Sequence, residues 1–137
     1  MAMWWFNKET RKEVWDEPIE SPIGDIEAAH RIRDICRSAA DSAERIGSLA
    51  GGAAHSTKPD PGKAEQATER YQRAAKAAMK IAMKISDDLL RDAAVRQIVD
   101  LCLKANDVRT AQPLFRAIQA PSIRQEVLNE YPTLRSE

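Results

Sequence analysis

Ile85-Ser86-Asp87-Asp88-Leu89-Leu90-Arg91 returns, loosened, as Ile118-Gln119-Ala120-Pro121-Ser122-Ile123-Arg124. Sliding residues 78–131 along themselves by about 33 positions, a period typical of helical repeat arrays, aligns more than these two steps. Ala78 falls on Ala111, Ile81 on Leu114, Ile85 on Ile118, Leu90 on Ile123 and Arg91 on Arg124. Between the copies stands Ala105-Asn106-Asp107-Val108, a break short enough to turn one helix back on another. The first copy predicts a helix from Leu89 to Lys104, opened by Asp87-Asp88 and closed by a lysine, as the helix dipole favours. Its inward stripe is Leu90, Ala94, Ile98, Leu101 and Cys102. A shorter helix follows over Val108 to Ile118, with Ala111, Leu114, Phe115 and Ile118 inward. Pro121-Ser122 restarts the chain; Ile123, Val127, Leu128 and Tyr131 finish it, and Pro132 stops the last helix. Residues 132–137 read as a flexible tail.

Upstream, two longer helices carry alanine-rich stripes. From Ile23 to about Ala50, apolar and small residues recur at Ala28, Ile32, Ile35, Ala39, Ser42, Ile46 and Leu49, the spacing of a heptad seam. Ala29, Cys36, Ala43 and Ala50 fill the stripe beside it, small enough for a partner helix to approach closely. Gly51-Gly52 ends that helix, and Ala53 to Gly62 is a loop of turn and breaker residues. The second helix, Lys63 to Ile85, repeats the pattern at Ala64, Ala67, Tyr71, Ala74, Ala78, Ile81 and Ile85. Two such helices joined by a short loop predict an antiparallel hairpin.

Composition agrees with this reading. Hydrophobic residues at 43% and charged residues at 31% are globular values. Only 5% are aromatic, so the core is built from aliphatic and small side chains, which favours close-packed helices over a sheet sandwich. The expected architecture is all-α, about five helices, in one domain over 23–131 behind an N-terminal segment, 1–22. Lys plus Arg equal Asp plus Glu at 21 each, so no overall field draws in nucleic acid or an anionic membrane. Cys36 and Cys102 lie inside apolar helical patterns and read as free thiols of a reducing compartment. No apolar run reaches the roughly 20 residues a membrane-spanning helix needs, and no signal peptide is evident, so a cytoplasmic protein is expected.

Two surfaces carry candidate binding residues. Trp4, Trp5, Phe6 and Trp15 hold most of the aromatic content, with a short helix expected over Lys8 to Trp15. They read as a cap on the helical core, a partner or self-association contact, or an interfacial membrane anchor. The last is weakest, because Glu9, Glu13, Asp16 and Glu17 spoil the basic face such anchors need. The second surface is a basic stripe on the second helix: Arg70, Arg73, Lys76, Lys80 and Lys84 occur with no acid between them. Residues four apart share a helix face. That stripe is a solvated face partly neutralised by a neighbouring helix, a docking surface for an acidic protein, or a phosphate contact.

The step from Ile85 through Arg91 and Ala94, with Ile98-Val99, Asn106-Asp107, Ala111 and then Ile118 to Arg124, resembles the α-solenoid repeats related to the tetratricopeptide family. The resemblance covers residues 78–131. Asn106 stands where the family has a glycine near the hairpin turn, and the Trp and Tyr signature positions are unmatched. What it implies is peptide or protein binding in a groove lined by inner helices, with no groove residue transferable one by one.

Catalytic patterns are missing. There is no Walker-type loop, no Gly-x-Ser-x-Gly elbow, no His-Glu-x-x-His and no Cys-x-x-Cys, while His30 and His55 lie in different elements. Ala111–Ile118 and Ser122–Glu130 have the lengths of a DNA-reading helix pair, but Arg124 is set against Glu126 and Glu130. The expectation is a non-enzymatic protein-interaction module without cofactor or metal: an adaptor, chaperone-like factor or small inhibitor. Its candidate residues are Trp4, Trp5, Phe6, Trp15, Arg73, Lys76, Lys80 and Lys84. The alternative is an accessory nucleic-acid-binding protein using the basic stripe.

Overall fold

A computed structural model describes residues 13–18, 22–50 and 61–135. Five α-helices follow one another: α1 (Asp25–Ala50), α2 (Pro61–Ala82), α3 (Asp88–Lys104), α4 (Val108–Ala117) and α5 (Pro121–Glu130). Short 3-10 turns stand at Val14–Asp16 and Pro132–Arg135, and no strand occurs among the described residues. The all-α class holds, and among the described residues no helix is long and apolar enough to cross a membrane.

Helices α1 and α2 form the antiparallel hairpin that their alanine stripes predict. Ala28, Ile32, Ile35, Ala39 and Ala43 of α1 meet Tyr71, Ala74, Ala78 and Ile81 of α2, all buried in one core. Helix α3 packs against both α1 and α2 and runs parallel to α1, with Ile98, Val99, Leu101 and Cys102 in the same core. One glycine decides how close α1 and α3 come. A Cβ on Gly47 would run into the Lys104 carbonyl oxygen at the end of α3. The sequence pattern assigns close approach to Ala29, Cys36 and Ala43 and passes over this residue.

The helix boundaries depart from expectation for local reasons. Helix α2 starts at Pro61, whose missing N–H costs nothing in a first turn. It ends at Ala82 instead of Ile85, because Lys84 and Ile85 donate to carbonyls three residues back and tighten the chain into a turn. Ile85 then drops into the core at 2% exposure. The next two amides, Ser86 and Asp87, both donate to the Asp25 carboxylate at 2.9 Å, pinning the start of α3 to the start of α1. Those bonds hold the Asp25 carboxyl below its ordinary range.

The same joint is built again downstream. Gln119 and Ala120 donate to the Asp92 carboxylate of α3 at 3.1 and 2.8 Å, pinning the start of α5. Arg91 donates to the Ile85 carbonyl at 3.2 Å, and Arg124 donates to the Ile118 carbonyl at 3.1 Å. Ile85 and Ile118 are both buried. The aligned isoleucines and arginines are therefore the two ends of one hydrogen-bonded joint that occurs twice. Asp92, 3% exposed, is a buried carboxylate that helical periodicity alone does not single out.

Asn106 adopts φ 59°, the left-handed conformation that glycine takes most easily. With Asn106 N–H bonded to Leu103 O at 3.0 Å and Asp107 N–H bonded to Cys102 O at 2.8 Å, α3 closes in a Schellman turn. Asn106 thus supplies the backbone geometry that a glycine would take most easily at this turn. Asp107 then caps α4 by accepting from Thr110 N at 3.2 Å, and its other oxygen accepts from the Tyr71 hydroxyl at 2.6 Å. That second bond ties the hairpin to the helices that follow.

The first residues of the expected tail, 132–135, are folded back on the bundle. They form a turn that buries Leu134 at 2% exposure, so the core reaches past Pro132.

Candidate partner-binding face

The basic stripe of α2 is not uniform. At its N-terminal end, Arg70 donates to both Glu13 oxygens at 3.2 Å and to the Ser42 hydroxyl of α1 at 3.0 Å. Its guanidinium lies 5.1 Å from the centre of the Trp15 ring. One turn on, Arg73 donates to Asp16 at 2.8 Å. The segment 13–18 is held from the other side by Arg31 of α1, which donates to the Glu17 and Pro18 carbonyls at 2.8 and 3.2 Å. Trp15 is thereby pressed between the two helices of the hairpin, at 6% exposure.

Trp15 is buried in the core and caps the hairpin, as one of the readings of the aromatic segment has it. The acids that neutralise Arg70 and Arg73 come from residues 13–16, not from a neighbouring helix. The described end of the expected helix over Lys8 to Trp15 is a 3-10 turn whose Asp16 carboxylate accepts from Glu13 N–H at 3.1 Å. Trp4, Trp5 and Phe6 lie outside the described residues.

Beyond Arg73 the stripe changes character. Lys76, Lys80 and Lys84 are exposed and form no ion pair with a described residue. Lys76 and Lys80 line a cavity of about 400 Å³ together with Trp15, Asp16, Glu17 and Ile81. The buried indole N–H of Trp15 has no acceptor among the described residues. Two ammonium groups at the rim of the cavity suit an anionic group.

A second groove, of about 210 Å³, lies between α1 and α3 and is lined by Arg33, Cys36, Arg37, Gln97, Asp100 and Lys104 among others. Burial pushes the Asp100 carboxyl above its ordinary range, and one of its oxygens is buried without a hydrogen-bond donor among the described residues. Burial also pushes the Cys36 thiol up to about 12 and the Cys102 thiol to about 11. Both are therefore protonated at neutral pH and are poor nucleophiles.

The C-terminal helix pair presents little to a phosphate backbone. Arg124 is turned inward over the Phe115 ring, 4.7 Å from its centre, and donates to the Ile118 carbonyl. Glu126 and Glu130 are engaged by Arg96 of α3. Sequence reasoning missed Glu13 and Asp16 as partners of the stripe. It also placed Ser42 in the apolar seam without asking what its hydroxyl would bond. A polar residue at a seam position is the signal that a donor reaches it from another element.

Compared with known protein families, curated proteins and solved structures, this chain finds no match.

Proposed function

We propose that the chain is a non-enzymatic protein-interaction module that takes an acidic partner on the exposed basic face of α2 at Lys76 and Lys80, continued by Lys84 in the turn after it. The observation that carries this reading is the occupied part of the same face. Arg70 and Arg73 already hold a short segment in which Glu13 and Asp16 flank a buried tryptophan. Lys76 and Lys80 continue that helix face and Lys84 follows in the turn after it, all three with like charge and no described counter-ion. An adaptor, a chaperone-like factor or a small inhibitor would each use such a surface, and the twice-built joint of α2–α5 fits a short solenoid-like array.

Nucleic acid suits the face less well. Arg70 and Arg73 are taken up internally, which leaves three lysines for a contact that gains affinity from long cationic tracks.

The test is capture from the source lysate by the intact protein, with and without nuclease and across a salt series. A defined protein that resists nuclease and is shed as salt rises is the expected result. Nucleic acid lost on nuclease treatment, with no protein retained, would overturn the reading.

A further inference from the structure

The cavity between α2 and segment 13–18 is lined by apolar groups as well as by charge. Trp15, Pro18, Ala77 and Ile81 supply the apolar lining. Five charged residues share the rest: Arg73, Lys76 and Lys80 against Asp16 and Glu17. Arg73 and Asp16 are spent on each other, at 2.8 Å. What remains is two ammonium groups, neither in an ion pair with a described residue, against the single carboxylate of Glu17. No residue three or four places from Lys76 or Lys80 along the chain is acidic, so their neighbours on the helix face supply no counter-charge. No acid of α1 or α3 lines the cavity either.

We propose that this cavity is the seat of an aromatic side chain of the protein partner, carried beside acidic residues whose carboxylates meet Lys76 and Lys80. The inference rests on the reading of the lysines as a partner surface and adds the apolar half of the contact. Size and lining choose the aromatic. A volume of about 400 Å³ falls within the roughly 300–1,000 Å³ of ordinary ligand clefts and admits a whole ring. An aromatic side chain brings a large contact area while few torsions are ordered, and it lies well against the indole of Trp15. Charge chooses its neighbours, because two unpaired ammonium groups outnumber the one unpaired carboxylate. The chain satisfies the same chemistry one step back along α2, where Glu13 and Asp16 flank Trp15 and are held by Arg70 and Arg73.

The test uses the full-length protein and three fluorescein-labelled peptides, each a tryptophan, leucine or alanine set between pairs of glutamates, with binding read by anisotropy. The tryptophan peptide should bind about tenfold tighter than the alanine peptide, with leucine between them. Ala77→Leu, which fills the cavity from a half-buried position, should erase that preference and leave the salt dependence. Lys76→Glu with Lys80→Glu should weaken all three peptides about tenfold or more. Melting curves verify that the variants are folded, and the comparison of the three peptides on the wild type depends on no variant. Equal affinity of the tryptophan and alanine peptides, or a tryptophan preference that survives Ala77→Leu in a folded protein, overturns the aromatic seat while leaving the lysine face standing. Affinities untouched by the lysine reversal, single-stranded DNA bound where no peptide binds, or no binding at all, overturn both.

Discussion

Arg70 grips both carboxylate oxygens of Glu13 at 3.2 Å, joining the first described residue of the chain to the middle of α2. The pair is half-buried, so its electrostatic gain is modest. A double-mutant cycle of Glu13→Gln and Arg70→Met is expected to give a coupling of about 0.5–1 kcal/mol by urea unfolding. Trp15→Ala is expected to cost more, about 3 kcal/mol, because it empties a buried ring site between α1 and α2. A loss under 1 kcal/mol for Trp15→Ala would mean that segment 13–18 is not part of the core.

The left-handed residue of the α3–α4 turn is next. Asn106→Gly is expected to keep or raise stability by a few tenths of a kcal/mol, and Asn106→Ala to lower it by about 1 kcal/mol. Thermal unfolding of the two variants checks the order. If alanine is tolerated as well as glycine, the Schellman turn is not how α3 ends.

Gly47 sets the approach of α1 to α3. A methyl group there meets a backbone carbonyl and not a movable side-chain tip. Gly47→Ala should therefore destabilise by about 1–3 kcal/mol, although alanine is the better helix former by about 1 kcal/mol. Denaturant midpoints decide the sign, and a gain in stability would refute the close approach.

Ionisable groups give a pH signature with two opposite parts. Hydrogen bonds from the Ser86 and Asp87 amides hold Asp25 below its ordinary range. Burial opposes ionisation of Asp107, but bonds from Tyr71 and Thr110 outweigh it and hold that carboxyl low as well. Their contribution is complete above the ordinary carboxylate range and is lost as pH falls through the lowered values. Asp100 works the other way. Burial raises its carboxyl, so its charged form costs stability once pH exceeds the raised value. Asp100→Asn should stabilise the protein at pH 7 by less than about 1 kcal/mol, since the group is partly solvated, and should have little effect near pH 3. Melting curves of wild type and variant at the two pH values test the sign.

Much of the fold is legible in the chain because its determinants are periodic and local. Ala28, Ile32, Ile35 and Ala39 announce α1 by spacing alone, and the recurrence of Ile85 with Arg91 as Ile118 with Arg124 marks the repeated joint. What is not legible is set by contacts between distant residues. Asp25 and Asp92 look like surface acids until the turns whose amides they receive are in place. Gly47 looks like a weak point in a helix until α3 arrives against it. At the candidate site, the lysines are visible as a stripe with four-residue spacing, but their division from Arg70 and Arg73 depends on Glu13 and Asp16, more than fifty positions away in sequence.

The most direct measurement is the affinity of the purified, captured partner for three forms of the chain: wild type, Lys76→Glu with Lys80→Glu, and Arg116→Glu on α4 as a control of equal kind. The account predicts a loss of tenfold or more on reversing the two lysines, about 1.4 kcal/mol, with wild-type affinity kept on reversing Arg116. Equal affinity for all three forms would contradict it, because the partner would then be bound somewhere other than the basic face of α2.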